Sequence, residues 1–323
     1  MKLIIQIPCF NEESTLPITL AALPRELPGI DTIEWLIIDD GSTDRTVEVA
    51  MAHGVDHLVR LPQNNGLAKG FMAGIDACLT AGADIIVNTD ADNQYCADDI
   101  PKLIAPIIAG KAGIVVGSRP IAEIEHFSFA KKYLQKLGSW VVRFASRTDI
   151  ADAPSGFRAM SREAAMRLNV FNDYTYTLET IIQAGQKCMA ITSVPIRVNR
   201  DLRPSRLVKS IPAYVRKSVM TILRIFVVYK PFRFFLTIGS CLFLLGLAVG
   251  GRFLYFYAVG EGSGHIQSLI LASILLGIGF QTLVVSLLAD LLSVNRRLME
   301  DIQYRLRKRD LAKKSSRPGE GSV

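Results

Sequence analysis

Cysteine is sparse in this sequence, and its spacing excludes two common uses of the residue. The 323 residues include five cysteines. Their number is odd, and no two of them have the short spacing of a zinc site. We therefore expect neither a disulfide framework nor a cysteine-bound metal. Reduced thiols are typical of a domain in the cytosol.

The sequence also lacks a signal peptide and a dinucleotide-binding glycine loop. The apolar start, residues 1–8, is too short for a signal peptide and leads directly into a predicted strand. No Gly-x-Gly-x-x-Gly segment follows a predicted strand, which disfavours a Rossmann oxidoreductase. The N-terminal domain is therefore expected to remain in the cytoplasm.

Acidic residues are scarce in the last third of the chain. Residues 196–323 contain 20 Lys and Arg against 7 Asp and Glu, whereas residues 1–195 contain 17 against 23. A nucleic-acid-binding protein would carry its basic excess on the folded domain. Here the excess accompanies apolar runs, which indicates a membrane partner and no nucleic acid.

Two uncharged runs, residues 234–251 and 266–289, are long enough to span a bilayer. A basic amphipathic helix is predicted over 205–231, lying in the membrane interface or, alternatively, on an ordinary protein surface. Lys and Arg are clustered on both outer flanks of the spans. The protein is therefore expected in the cytoplasmic (inner) membrane, with both termini in the cytoplasm. The predicted domains are a catalytic domain over 1–204, the interfacial segment, the two spans over 232–292, and a basic tail over 293–323.

Strands and helices alternate through the first 196 residues, which predicts an α/β domain with a mainly parallel sheet and helices on both faces. The predicted strands are Leu3–Ile7, Ile33–Ile38, His57–Leu61, a strand from Asp84, Ile114–Gly117, Ser155–Met160 and Cys188–Ile196.

The stretch over 84–95 contains a short apolar strand followed by Asp90, Asp92 and Gln94. If the backbone stays extended, these three side chains point to one side. Two carboxylates on one side repel each other unless a cation lies between them, and hard divalent cations such as Mg²⁺ or Mn²⁺ prefer oxygen ligands. The alternative is a solvated acidic loop that caps the next helix.

Four segments follow predicted strands and should meet at one edge of the sheet. They are Pro8–Glu13, Asp39–Asp44, Asn64–Gly70 and Asp90–Gln94. In this order they resemble the family-2 glycosyltransferases, which have a GT-A fold. The segments Gly117–Arg119 and Asp152–Arg158, with the two spans, make the chain similar to dolichyl-phosphate mannose synthase and the bacterial undecaprenyl-phosphate glycosyltransferases. The resemblance covers residues 3–207 by motif and the remainder by topology.

The resemblance implies roles for individual residues. The donor, a UDP- or GDP-sugar, would be bound by Pro8, Asn11, Glu13, Asp39, Asn64, Lys69 and Asp90, with Glu12 as an alternative to Glu13. The divalent cation would be held by Asp90, Asp92 and Gln94. The catalytic group would comprise Asp92, Asp152, Arg119 and Lys131. Lys131 departs from the arginine common in the family, and Lys132 is an alternative. A structural role stays open for Asp152 and Glu179, and Arg158 is expected to be structural.

A basic segment just before the interfacial helix is the expected acceptor site. The phosphate of a polyprenyl lipid would be met by Arg200, Arg203, Ser205 and Arg206. Guanidinium groups match phosphate oxygens bidentately. This segment differs from the Gly-Lys-Ser-Lys type common in the family, and simple attraction to anionic lipid is the alternative.

Together these features predict an inverting glycosyltransferase that moves a sugar from a nucleotide diphosphate to undecaprenyl or dolichyl phosphate at the cytoplasmic face. The alternatives are a nucleotide-sugar-binding scaffold without turnover and a transferase with another lipid acceptor. A processive polysaccharide synthase would need more spans and a Gln/Arg-x-x-Arg-Trp segment. Neither of the two tryptophans belongs to such a segment, which disfavours this class. The sugar, the nucleotide and homo-oligomerisation are left open.

Overall fold

The computed structural model describes residues 1–120, 139–140, 142–144, 146–170, 176–199, 216, 220, 223–224, 227–260 and 262–315. The strands are β1 (Lys2–Cys9), β2 (Thr32–Asp39), β3 (His57–Arg60), β4 (Ile85–Asn88), β5 (Ile114–Ser118), β6 (Arg158–Ser161) and β7 (Ile191–Pro195). The helices are α1 (Leu16–Ala22), α2 (Thr46–Ala52), α3 (Leu67–Thr80), α4 (Ile100–Ile108), α5 (Arg162–Arg167), α6 (Thr177–Gln186), α7 (Pro231–Ala258) and α8 (Ile266–Ser315).

The seven strands form one sheet in the order β3-β2-β1-β4-β6-β5-β7. All the pairs are parallel except those of β6, which runs antiparallel between β4 and β5. The prediction of a mainly parallel α/β sheet is therefore confirmed. Pro8 lies within β1 rather than ending it, and β6 begins at Arg158, three residues later than predicted.

The strands of the sheet contain runs of β-branched residues that are buried on both faces, as is typical of parallel sheets. Ile4 and Ile5 of β1 and Ile85 and Ile86 of β4 are completely buried. Helices α1 and α4 contribute Leu16, Leu20, Leu103 and Ile104 to the core. This rigid core fixes the carboxyl ends of the parallel strands, where the predicted donor-binding segments begin.

The chain divides into two compact units. The first comprises Met1–Ser218 and Asp301–Val323, and the second comprises Val219–Glu300. The end of α8 belongs to the first unit: Tyr304 donates a hydrogen bond to Glu163 over 2.7 Å, and Arg307 donates to the carbonyl oxygen of Leu168 over 2.7 Å. The segment expected to be a tail over 293–323 is therefore helical as far as Ser315 and is partly integrated into the α/β unit.

Two helices are long and apolar enough to cross a membrane, Pro231–Ala258 and Ile266–Lys313, with mean hydropathies of 2.1 and 2.2 in their most apolar windows. The first lies within the second unit, and the second begins there and continues beyond Glu300. They contact each other through glycines. A Cβ on Gly246 would lie 2.9 Å from the backbone nitrogen of Leu276, and one on Gly279 would lie 2.7 Å from that of Phe243. Small residues allow such close backbone approach between membrane helices. The predicted interfacial helix over 205–231 lies mostly outside the described residues.

Candidate functional site

Side-chain hydrogen bonds join the loops that follow β1 and β2. Because these strands are adjacent and parallel, both loops leave the same edge of the sheet. The Oδ1 atom of Asn11 accepts a hydrogen bond from the backbone nitrogen of Thr43 over 2.8 Å, and the Asn11 nitrogen donates to the Ser42 hydroxyl over 2.9 Å. Glu13 accepts one from the backbone nitrogen of Arg45 over 3.1 Å. Asn11 and Glu13 therefore lie beside the loop that follows β2.

The two candidate glutamates differ in accessibility. Glu12 is only 6% exposed, and its Oε2 atom accepts a hydrogen bond from the Thr15 hydroxyl over 2.6 Å. The side chain of Glu13 is 42% exposed. Both follow Pro8, the penultimate residue of β1. Of the two carboxylates, Glu13 is the one that a soluble ligand can reach.

Asp39, the last residue of β2, presents a buried acceptor atom. Its Oδ1 atom accepts a hydrogen bond from the backbone nitrogen of Ser42 over 2.9 Å. Its Oδ2 atom is buried and accepts no hydrogen bond from any residue that the structure describes, although Nε of Arg60 lies 3.5 Å away. A buried acceptor without a donor is costly. The imino or amino group of a nucleobase is a donor that fits this position.

Asp40 shapes the loop before α3. Its carboxylate oxygens accept hydrogen bonds from the backbone nitrogens of Asn65, over 2.8 Å, and Gly66, over 2.9 Å. Gly66 has a φ of 90°, a conformation that favours glycine. The exposed side chain of Asn64 is thereby carried on a loop that is tied to the end of β2, and the exposed Lys69 lies in the first turn of α3, which follows this loop.

The carboxylate of Asp90 lies in a tight pocket after β4. A Cβ on Gly156 would lie 3.1 Å from both of its oxygens, so a larger residue there would crowd the carboxylate. The Tyr95 hydroxyl is hydrogen-bonded to Asp90 and accepts a hydrogen bond from the Gly156 nitrogen over 3.0 Å. Burial and the charge of Asp92 raise the pKa of Asp90 to about 7, against the opposing effect of Arg119.

Asp92 and Gln94 do not continue an extended strand. β4 ends at Asn88, the backbone turns at residues 91–92, and Asn93 has a left-handed φ of 54°. The backbone nitrogen of Gln94 then donates to Oδ1 of Asp92 over 3.2 Å. The extended backbone on which the alternation argument depends is therefore absent here, because the chain turns between Asp90 and Gln94. The assignment of Asp90, Asp92 and Gln94 as metal ligands stays a prediction.

The donor set at this turn suits a hard divalent cation. Carboxylate and amide oxygens are the ligands that Mg²⁺ and Mn²⁺ prefer, and the two acids repel each other without a cation. Among the residues that the structure describes, no three His, Cys, Asp or Glu side chains group as a metal site. A cation here would have to take its remaining ligands from water or from a bound ligand.

Arg119 and Asp152 form a buried, bidentate ion pair. Nε of Arg119 lies 2.7 Å from Oδ2 of Asp152, and Nη2 lies 3.1 Å from Oδ1. The two side chains are 10% and 0% exposed. Burial lowers the pKa of the Arg119 guanidinium, but Tyr95 and the hydrogen bond to Asp152 raise it above its ordinary value overall. The expected roles of these two residues are therefore linked, since Asp152 fixes the orientation of Arg119.

A short antiparallel contact joins the loop after Asp92 to the chain after β7. Tyr95 and Val198 form a β-bridge. The backbone nitrogen of Asn199 donates to the carbonyl oxygen of Gln94 over 2.8 Å. This contact therefore holds the last described residue before Arg200 against the loop at Gln94.

A buried network behind the site had no clear signal in the sequence. Asn88 accepts a hydrogen bond from Gln6 over 2.9 Å and donates to the Tyr176 hydroxyl over 2.8 Å. The Tyr176 ring stacks on Phe71 of α3, with 3.9 Å between the ring centroids. Arg158 is fully buried, as expected of a structural residue, and donates to the Thr177 carbonyl over 3.1 Å. Buried polar side chains at strand ends are the only feature that could have pointed to these residues.

Several predicted site residues cannot be placed. Lys131, Arg200, Arg203, Ser205 and Arg206 lie outside the described residues. Glu179 lies on α6 and is 7% exposed. The donor-binding and metal-binding predictions therefore fall on described loops at one edge of the sheet, whereas the acceptor predictions stay predictions.

Relatives of known activity share most of their length with this chain. An undecaprenyl-phosphate mannosyltransferase from Micrococcus luteus is 26% identical over 218 residues, 64% of this chain and 88% of that protein. A UDP-N-acetylglucosamine–dolichyl-phosphate N-acetylglucosaminyltransferase from Methanococcus voltae is 30% identical over 216 residues, 59% of this chain and 83% of that protein.

The fold and the family are shared with known glycosyltransferases. The crystal structure of glucosyl-3-phosphoglycerate synthase from Mycobacterium tuberculosis with Mn²⁺, UDP and phosphoglyceric acid aligns with a TM-score of 0.52 at 20% identity, over 68% of this chain and 78% of that one. The α/β unit thus has the GT-A fold. The model of the family described as glycosyl transferase family 2 matches residues 4–169, more than half of the chain. The protein is therefore a glycosyltransferase that belongs to family 2.

Proposed function

We propose that this enzyme transfers a sugar from a nucleoside diphosphate to a polyprenyl phosphate, with inversion at the anomeric carbon, on the cytoplasmic face of the membrane. The proposal is carried by the position of Asp39 at the end of β2 and of Asp90 and Asp92 after β4, at the same edge of the sheet, in a chain that also has two potential membrane spans. Relatives named for transfer to undecaprenyl and dolichyl phosphates support the acceptor class.

The donor would lie across the ends of β1 and β2. The buried Oδ2 atom of Asp39 would accept a hydrogen bond from uracil or guanine, both of which present N–H donors. Glu13, the exposed glutamate, is placed to meet the ribose or base together with Asn11. Asn64 and Lys69, with Pro8 at the end of β1, would complete the contacts of the nucleotide.

Asp90, Asp92 and Gln94 would hold the divalent cation, Mg²⁺ or Mn²⁺. When bound, such a cation neutralises the charge of a diphosphate leaving group. The protein's own contribution would be Arg119, which Asp152 holds by two hydrogen bonds and which would meet the phosphates. Lys131 is proposed for the same purpose on the basis of the resemblance alone.

The acceptor oxygen of a polyprenyl phosphate is already anionic at neutral pH, so a strong general base is not required. Positioning and charge stabilisation would supply the catalysis. Arg200, Arg203, Ser205 and Arg206 would hold the phosphate, and the contact between Asn199 and the loop at Gln94 would keep that segment near the donor.

The function can be tested by incubating membranes that contain the protein with a panel of radiolabelled UDP- and GDP-sugars and polyprenyl phosphate. Organic extraction should recover label from one donor in a lipid fraction, dependent on both the protein and a divalent cation. Release of label as free sugar, with none in lipid, would instead indicate hydrolysis. Donor binding with no turnover in any incubation would favour a scaffold.

The orientation can be tested separately. Lys and Arg cluster on both outer flanks of the spans, so the C-terminus is expected in the cytoplasm. A reporter that is active only in the cytoplasm should therefore be active when it is fused after Val323. A reporter at that position that is accessible only from outside the cell would contradict the proposed topology.

A further inference from the structure

A pair of exposed aromatic side chains stands on the α/β unit, in a segment outside the predicted donor-binding loops. Trp140 is 55% exposed and Phe144 is 50% exposed. Their rings stack, with 5.9 Å between the centroids and 15° between the planes. They are four residues apart on helical residues, which places them on one face. We refer to Trp140 and Phe144 as the aromatic face.

Three described residues of this helical stretch are turned into the protein. Val142 is completely buried, and Ser139 and Ser146 are each 2% exposed. Ser146 packs so tightly that a Cβ on Gly185 of α6 would lie 1.9 Å from its carbonyl oxygen. The large aromatic groups therefore face outward even though the inner side is firmly docked.

Water is a poor environment for such a face. A tryptophan and a phenylalanine each bury about 150–250 Å² when they are covered. Exposed apolar patches of this kind mark sites of contact with proteins or membranes. The neighbouring charges decide which kind of partner fits.

Two arginines accompany the aromatic face. Arg143 lies between its members in sequence, and Arg147 follows at the end of the helical residues; both are at least partly exposed. Asp149, 3.8 Å from Arg143, is the acid that the structure places near them. Tryptophan, phenylalanine and arginine together are typical of segments that lie at the headgroup level of anionic membranes.

We propose that the aromatic face inserts into the headgroup region of an anionic bilayer, giving the α/β unit a direct membrane contact of its own. Because two helices of the same chain are able to span a bilayer, a membrane surface is available to the α/β unit. The proposal rests on membrane anchoring and does not depend on which sugar or acceptor the site uses. Its consequence is that this unit lies on the membrane rather than being held off it.

Tryptophan fluorescence provides the test, because the chain has only two tryptophans. Trp35 is 7% exposed, donates to the Pro24 carbonyl over 3.3 Å and lies under Arg25. It therefore reports on the protein interior. The full-length protein and its Trp140→Phe variant would be reconstituted in vesicles of phosphatidylcholine and phosphatidylglycerol, with bromine atoms at shallow positions of the acyl chains.

The expected result is that brominated lipid quenches the parent several-fold more strongly than Trp140→Phe, and that the emission of Trp140 shifts to the blue relative to detergent. Replacing phosphatidylglycerol by phosphatidylcholine, or making the double variant Arg143→Gln with Arg147→Gln, should reduce this quenching. Equal quenching of parent and Trp140→Phe would overturn the proposal. A second copy of the chain could cover Trp140 instead. In that case Trp140 would not be quenched by bromine, and its protection from aqueous iodide would rise with protein density. This result would overturn the proposal.

This readout is independent of catalysis. A protein that transfers no sugar under any condition can still show quenching of Trp140, and an active protein can fail to show it. Failure of the membrane contact and failure of the proposed function are thus distinguishable in the same preparation.

Discussion

The side-chain amide of Asn199 donates a hydrogen bond to the backbone carbonyl of Asn93 over 2.9 Å. Asn93 adopts a left-handed conformation in the turn that follows Asp92. The basic segment that is proposed to hold the acceptor phosphate begins one residue after Asn199 in the sequence. The contact therefore ties the turn proposed to bind metal to the residue that precedes this segment in sequence.

Asn199→Ala should lower turnover about threefold to tenfold, which corresponds to the loss of one ordinary hydrogen bond, of about 0.5–1.5 kcal/mol. Because Asn199 is exposed and outside the core, the melting temperature should hardly change. The affinity for the nucleotide should also be retained, since the donor contacts lie at β1 and β2. Steady-state kinetics with each substrate varied in turn would measure the effect.

The matched control for that variant is Asn295→Ala, an exposed asparagine of the second unit. Equal turnover for parent, Asn199→Ala and Asn295→Ala would show that the link to Asn93 does not position the acceptor segment.

Asp39→Asn tests the buried acceptor at the end of β2. The amide oxygen can keep the hydrogen bond from Ser42, but an NH₂ group would replace the acceptor Oδ2. A charged hydrogen bond to a nucleobase contributes about 1.5–3 kcal/mol, so the donor KM should rise about tenfold to a hundredfold. Glu48→Gln, an exposed acid on α2, is the control for the change in charge. Unchanged nucleotide affinity by calorimetry in Asp39→Asn would exclude the base contact.

Asp92→Asn tests the metal assignment. The exchange is nearly isosteric and lies in a turn, so the fold should be kept. Turnover with Mg²⁺ or Mn²⁺ should fall by more than about 100-fold, because even outer-shell partners of a metal contribute about 10–100-fold. Binding of Mn²⁺ in the presence of nucleotide, followed by paramagnetic resonance, should weaken in parallel.

Asp98→Asn provides the control, since Asp98 is a strongly exposed acid in the same loop. If Asp92→Asn binds Mn²⁺ as tightly as Asp98→Asn does, Asp92 is not a ligand.

Asp152→Asn tests the ion pair with Arg119. Removing one charge of a buried pair leaves the other uncompensated and typically costs about 3–5 kcal/mol. The apparent melting temperature should therefore fall together with turnover. The double variant Arg119→Gln with Asp152→Asn should recover the melting temperature but not the activity. If Asp152→Asn melts like the parent yet loses turnover, Asp152 acts on the substrate directly rather than by orienting Arg119.

The alternation of apolar strands and helices was sufficient to predict the sheet, because parallel strands depend on local runs such as residues 85–87. The position of β6 was harder to foresee. It pairs antiparallel with β4, whose residues precede their partners in β6 by 70 to 76 positions in sequence. No local pattern distinguishes an inserted antiparallel strand from one added at the edge.

The position of a candidate site residue was predictable where the residue ends a strand, as Asp39 does. It was not predictable where a turn or a distant partner decides the geometry. The turn at residues 91–92 and the left-handed Asn93 break the alternation of Asp90, Asp92 and Gln94, and a single asparagine in the sequence does not predict this turn. The pairing of Asp152 with Arg119 joins residues 33 positions apart, so it depends on the folded sheet.

The central claim is that the acceptor of the sugar is a polyprenyl phosphate. It is tested most directly with the purified full-length protein in detergent, undecaprenyl phosphate, a divalent cation and single nucleotide sugars, analysed by mass spectrometry. We predict a lipid with the mass of the acceptor plus one sugar residue, formed in equal amount with free nucleoside diphosphate and missing with Asp92→Asn. Nucleoside diphosphate formed together with free sugar, while the undecaprenyl phosphate stays unmodified for every donor, would contradict the account.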